Sequence, residues 1–277
     1  METSTIKRKR PIRTKTNIIF YKLYKLYKVV KYYKMYKLYK ENPWSYQIIS
    51  LSLRQKTLKP INMAKVFTVS NVKGGVGKTT ICSLLATYLT EQGITVSVLD
   101  ADLQESLKRH RERDMESYPD TDPEWELERL DMEDDAEVRS IMKSVKELDG
   151  VVLIDCPGTL NDDNLQFVYG AADGAIVPIS YDDDTIDATS LFVTVFRKLS
   201  NVPMLFVPNR INKSEGTKAE REQREETEKA LNSIGKVMPA IKQTVAVKRY
   251  NTLFALDLQQ RIAVGSTFEA IQREMNL

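Results

Sequence analysis

The sequence is poor in the residues that cross-link chains or hold soft metals: 277 residues include two cysteines, Cys82 and Cys156, and one histidine, His110. Two cysteines cannot build a disulfide framework and one histidine leaves no zinc-type cluster, so any metal is expected to sit among oxygen ligands. Nowhere do about eighteen apolar residues run uninterrupted, which leaves no membrane-spanning helix, and the first residues lack the apolar stretch of a secretory signal. A cytoplasmic protein is expected. What is present is ordinary: 42% hydrophobic and 29% charged residues suit one large α/β domain or two small ones and exclude disordered and fibrous classes.

The formal charge of +3 hides a division. Residues 1–62 hold 16 Lys and Arg against two Asp and Glu, whereas residues 63–277 hold 25 against 36. A basic tail precedes an acidic body. From Lys22 to Lys40 a lysine recurs every third residue, with tyrosine before most of them. Period three matches neither the 3.6 of a helix nor the 2 of a strand, so the repeat buries no stripe and forms no core element. A short tandem repeat in AT-rich DNA would encode such a pattern, and Met63 directly precedes the first residues that read as folded. Residues 1–62 therefore read first as an over-extended translation start with Met63 as the natural one. The functional alternative is a disordered basic arm whose lysines meet phosphates and whose tyrosines stack on bases.

From Met63 onward, short β-branched runs alternate with longer helical stretches, the pattern of βαβ units around a mostly parallel sheet flanked by helices. Strands are expected near 65–70, 94–99, 125–131, 150–154, 174–179 and 203–208. Helices are expected near 78–92, 103–117, 136–147, 162–172, 184–199, 216–234 and 266–275, with a Pro/Asp-rich loop at 118–124. Residues 63–277 read as one domain.

The first strand runs into Lys73-Gly74-Gly75-Val76-Gly77-Lys78-Thr79-Thr80 and then a helix, the strand, glycine turn and helix order of a phosphate-binding loop. Glycines let backbone N–H groups close on phosphate oxygens, and the helix N-terminus adds partial positive charge. Lys78 reaches the β- and γ-phosphates and the Thr79 hydroxyl ligates Mg²⁺. The second strand ends in Asp100-Ala101-Asp102-Leu103-Gln104, and a fully apolar run, Val151 to Ile154, ends in Asp155-Cys156-Pro157-Gly158. Taken alone, the first is also what an acidic helix cap looks like, and the second what any buried strand ending in Asp looks like.

A second lysine, Lys73, precedes the glycine pair, and Val72 stands where the usual loop has its first glycine. This arrangement resembles the deviant Walker A motif of the ParA/MinD/nitrogenase-iron-protein superfamily, a P-loop NTPase fold. The resemblance implies an ATPase in which Lys73 reaches across an ATP-bound homodimer to the partner's phosphates. By the same resemblance Asp102 orients the attacking water, Asp100 supports the metal shell, Asp155 holds Mg²⁺, and Pro157 and Gly158 form a switch that senses the γ-phosphate. Asn209 and Arg210, after a later strand, stand where relatives meet the adenine; a simple strand-end turn reads equally there. The run Asp182 to Asp184 falls where the family has a loop near the dimer interface.

Within the superfamily, nitrogenase-type reductases need cluster cysteines, which Cys82 and Cys156 do not resemble. MinD-type proteins end in a basic amphipathic membrane helix, whereas Ser266 to Leu277 holds one Arg and two Glu, so no membrane partner is expected. A MinD-like ATPase that positions a cellular complex and a metabolic ATP-dependent enzyme on the same fold are the alternative readings. The resemblance that is left is to small ParA/Soj-type partition ATPases of plasmids or conjugative elements. It implies non-specific DNA binding in the ATP state, a ParB-like centromere-binding partner and a nucleoid-associated location. An acidic body needs a local basic patch for this, and Lys242, Lys248, Arg249 and Arg261 are the candidates.

Overall fold

The computed structural model describes residues 63–212 and 216–277. The basic tail read from the sequence lies outside them. Seven strands form one parallel sheet: β1 (Lys65–Val69), β2 (Val96–Asp100), β3 (Glu126–Arg129), β4 (Val151–Asp155), β5 (Gly174–Ile179), β6 (Met204–Pro208) and β7 (Lys236–Val237), in the order β3-β2-β4-β1-β5-β6-β7. Between them run α1 (Lys78–Glu91), α2 (Ser106–Ser117), α3 (Asp135–Ser144), α4 (Leu165–Ala171), α5 (Asp183–Leu199) and α6 (Lys218–Asn232). After β7 come α7 (Val245–Lys248) and α8 (Leu258–Glu274).

Helices cover both faces, which is why β4, β5 and β6 are buried at every residue and read as continuous apolar runs rather than alternating ones. Alternate residues of β1 divide between two cores: Phe67 and Val69 pack with α1, α2, α7 and α8, while Val66 packs with α3, α4 and α5. Helix α5 buries Thr185, Thr189, Phe192 and Phe196, spacings of four, three and four that keep one face inward. Its start is fixed by Asp182, whose carboxylate accepts the Thr185 amide at 2.9 Å.

All six strands read from the sequence are present. The register of β5 explains how a proline fits in an interior strand. β5 pairs with β1 only from Gly174 to Ile176, then with β6 alone to Ile179. Pro178 falls where β1 has already left the sheet, and its carbonyl is taken instead by the Asn71 amide at 2.9 Å. A crevice opens there, at the carboxyl ends of the strands.

Three differences from the sequence reading concern the ends. Helix α2 begins at Ser106 rather than 103, because Glu105 turns left-handed at φ 48°. β7 and α7, of two and four residues, are too short to show a period. Helix α8 starts at Leu258, eight residues before the expected 266, closed by a capping box between Asp257 and Gln260. Its first apolar residues, Leu258 and Ile262, face outward and so break the buried-face pattern by which a helix is recognised.

Candidate functional site

A cavity of about 690 Å³ lies over the glycine turn, at the carboxyl ends of the strands. Gly77 ends the turn at φ 103°, and a Cβ there would stand 2.4 Å from the Asn209 amide nitrogen, so glycine is required twice over. As the N-cap of α1 it offers no side-chain acceptor, and the first intrahelical bond is that of Ile81 to the Gly77 carbonyl. The amides of Lys78, Thr79 and Thr80 are left as anion donors at the positive end of the helix. Gly74, Gly75, Gly77, Lys78, Thr79 and Thr80 all line the cavity, whereas Val76 turns its side chain into the protein.

Lys78 is buried, with its ammonium 3.4 Å from the Lys73 carbonyl. Burial lowers its pKa and the charges of Asp155 and Asp102 oppose that shift. Lys73 differs in every respect. Its ammonium stands at the rim in an ion pair with Asp184, 3.2 Å away on the first turn of α5. Its backbone N–H is held by the Asn71 carboxamide oxygen at 3.2 Å, and Asn71 in turn donates to Thr189 of α5 and to Pro178. The loop is thus tied to α5 by Asn71, while the Lys73 side chain is restrained by a surface pair worth little in water.

Parallel pairing sets Asp100 of β2 beside Asp155 of β4. Both are fully buried, and their roles separate. Asp100 accepts the amide of Asp102 at 3.2 Å and that of Lys108 at 3.0 Å. Those bonds partly offset the burial that raises its pKa. The oxygens of Asp100 thus shape the loop that bears Asp102 and the start of α2. Asp155, by contrast, has two oxygens with no hydrogen-bond partner among the described residues. Burial pushes its pKa up to about 7, with Asp100 adding to the rise, while Thr79 and Lys78 pull against it. An orphaned buried carboxylate beside a threonine hydroxyl is a costly arrangement that a hard divalent cation would relieve. Among the described residues no three His, Cys, Asp or Glu are grouped to hold a metal alone, so phosphate and water oxygens would have to complete the shell. Asp102 lines the same cavity, with one oxygen accepting the Gln104 amide at 3.0 Å. Pro157 and Gly158 line it too, and a Cβ on Gly158 would come 3.4 Å from the Lys78 ammonium.

Asn209 and Arg210 part company. Asn209 is buried, donates to the Val76 carbonyl at 2.8 Å and accepts the Arg210 amide at 2.9 Å, so it braces the glycine turn from beneath. Arg210, at φ 58°, lines the cavity. Sequence reasoning missed His110, Arg113 and Tyr250, which also line it, because α2 and the segment after α7 meet only in the fold. It missed Asn71 for the same reason, and it placed Asp184 near the dimer interface without its pairing to Lys73.

Of the basic candidates, Lys242, Lys248 and Arg249 are exposed, and none forms an ion pair with a described residue. Arg261 is exposed too but is engaged in an ion pair. It pairs with Glu91 at the end of α1 at 2.9 Å and donates to the Leu256 carbonyl at 3.0 Å, because the early start of α8 sets it against α1.

A parallel doubly wound sheet, a glycine turn capping a helix, a buried lysine and a strand-end aspartate define a P-loop nucleotide-binding protein. Residues 67–252 match the family model of the CobQ/CobB/MinD/ParA nucleotide-binding domain, and the chain belongs to that family. Among curated proteins it is 47% identical over 45 residues to an iron-sulfur cluster carrier protein of Mycobacterium leprae, covering 16% of this chain and 12% of that protein. It is 25% identical over 175 residues to an uncharacterised ATP-binding protein of Methanocaldococcus jannaschii, covering 54% of this chain and 66% of the other. The chain thus spans less than two thirds of each of these relatives. Among solved structures it resembles a plasmid partition protein of Borrelia burgdorferi, with 17% identity, a TM-score of 0.59, and coverage of 76% of this chain and 99% of that one. No helix among the described residues is long and apolar enough to cross a membrane.

Proposed function

We propose that residues 63–277 form an ATP-driven partition switch: a protein that dimerises around ATP, binds DNA without sequence preference in that state, and is released by hydrolysis. The observation that carries this reading is the contrast between its two lysines. Lys78 is buried among the carboxylates of one cavity, whereas Lys73 stands at the rim behind a single surface ion pair, free to exchange Asp184 for a phosphate brought by a second copy.

In this reading the open amides of α1 and the Lys78 ammonium hold the phosphates. Mg²⁺ would be held by the Thr79 hydroxyl and the Asp155 carboxylate, and when bound it supplies charge neutralisation for phosphoryl transfer. Asp102, steadied through Asp100, orients the attacking water, which is mostly a matter of positioning. Gly158, beside the Lys78 ammonium, registers loss of the γ-phosphate. Lys242, Lys248 and Arg249 give an otherwise acidic body a local surface for DNA phosphates, and a ParB-like partner would accelerate release from the nucleoid.

The test measures affinity for random duplex DNA with ATP, with ADP and without nucleotide, for the full chain and for a form beginning at Met63. The expected result is tighter binding with ATP that weakens steeply as salt rises. Equal binding in all three states by the shorter form would overturn the partition reading. ATP-dependent binding to anionic vesicles instead of DNA would point to the positioning role of MinD-like members of the family.

A further inference from the structure

The segment between α7 and α8 is fastened to α2 and to the carboxyl end of α1. Asp114 of α2 accepts both the Thr252 amide, at 2.7 Å, and the Thr252 hydroxyl, at 2.6 Å. The Tyr250 ring stacks on His110 of α2 with centroids 4.3 Å apart, and Phe254 meets Tyr118 edge to face at 4.8 Å. At its far end the Leu256 amide donates to Glu91, the last residue of α1, at 2.6 Å. Within this strap Thr252, Leu253 and Leu256 are buried.

Two features make the strap more than a connection. Tyr250 lines the cavity that holds Lys78 and Thr79, and with His110 it supplies the aromatic surface among the lining residues. The residues immediately before it are Lys248 and Arg249, and the Arg249 amide closes α7 on the carbonyls of Val245 and Ala246. A ring in the cavity and the cationic pair outside it are therefore joined by one or two residues of backbone.

We propose that Tyr250 contacts the bound nucleotide and that the strap, clasped by Asp114, converts that contact into the placement of Lys248 and Arg249. The inference rests on the reading of those two residues as DNA-facing only for its consequence, not for the contact itself. Tyr250 is a nucleotide-binding residue in this scheme, and Asp114 is a positioning residue that acts through Thr252.

The test is hydrogen–deuterium exchange over residues 249–256 of the full chain, with and without ATP and ADP, beside nucleotide affinity. Nucleotide is expected to slow exchange in the strap by tenfold or more in the wild-type protein. Tyr250→Ala should weaken nucleotide binding several-fold and Tyr250→Phe should not, since the ring makes the contact. Asp114→Ala should leave affinity within about twofold yet abolish the nucleotide-dependent difference in exchange. Asp114→Asn should keep that difference, because its carbonyl still accepts both Thr252 bonds. Unchanged strap exchange on nucleotide binding to the wild-type protein would overturn the proposal without any variant. A strap that responds while the protein binds no DNA would sink the partition reading and leave this one standing.

Discussion

The two ends of the nucleotide cavity are built in opposite ways. One part of the lining comes from the glycine turn and the start of α1, Gly74 to Thr80, beside strand ends that parallel pairing sets side by side. The opposite wall comes from residues far apart in sequence, Arg210 after β6, His110 and Arg113 on α2, and Tyr250 after α7. The first kind of site is specified by chain geometry that a motif repeats wherever it occurs. The second exists only once helices from different parts of the chain pack on one face of the sheet. Substitutions at the first end should therefore have large effects on binding, and those at the second should tune coupling.

The largest effect expected is that of Lys78→Ala, which removes a buried cation from the phosphates and should weaken ATP and ADP binding about 100-fold or more, near 2.7 kcal/mol. Calorimetric titration with each nucleotide measures it. Lys73→Ala should leave ADP affinity within about twofold and eliminate the ATP-dependent dimer, read by light scattering or sedimentation. Equal loss of ADP affinity in the two variants would erase the distinction between the lysines.

Asn209→Ala should be intermediate. It strips the Val76 carbonyl of a buried donor and lets the glycine turn relax, at about 1–3 kcal/mol in denaturant unfolding, with a nucleotide affinity lower by about tenfold. If stability falls but affinity does not, the brace serves folding only. Asp155→Asn should act in the opposite sense without ligand. Removing the charge from an orphaned buried carboxylate should raise the melting temperature of the nucleotide-free protein by a few degrees while suppressing hydrolysis. A lower melting temperature would show that the carboxylate is partnered in solution.

The smallest effects belong to the basic residues. Lys248→Glu combined with Arg249→Glu should weaken ATP-state DNA binding and flatten its salt dependence by about two counterions, leaving nucleotide affinity unchanged. Arg261→Ala should cost at most about 1 kcal/mol of stability through its pair with Glu91 and leave DNA binding as it was. Equal losses in both would place Arg261 in the same DNA-facing patch as Lys248 and Arg249.

Local patterns made much of this protein legible. The strands β4 to β6 are buried at every residue because both faces of the sheet are covered, so an apolar run of four or five residues identifies each one, whereas the edge strand β3, Glu-Leu-Glu-Arg, is largely exposed. The glycine turn is legible because Gly77 has no permissible substitute at its dihedral angles. Helix α8 was legible only in its second half, since the outward-facing Leu258 and Ile262 disguise its first turns. Asn209 was found for its place at a strand end, but its neighbour Val76, a residue 133 positions earlier, determines what its amide does.

Sequence alone thus determined six of the seven strands, their order along the chain, and the glycine turn that opens α1, because each depends on interactions among near neighbours or on backbone angles that few residues can adopt. Tertiary structure decided which carboxylate is free. Asp100 and Asp155 are equivalent in sequence, each ending an apolar strand, and adjacent in the sheet. Only the path of the chain after β2, which brings the amides of Asp102 and Lys108 back to Asp100, satisfies one and leaves the other without a hydrogen-bond partner among the described residues. The same is true of Arg261, whose charge was visible in the sequence and whose commitment to Glu91 depends on where two helices cross.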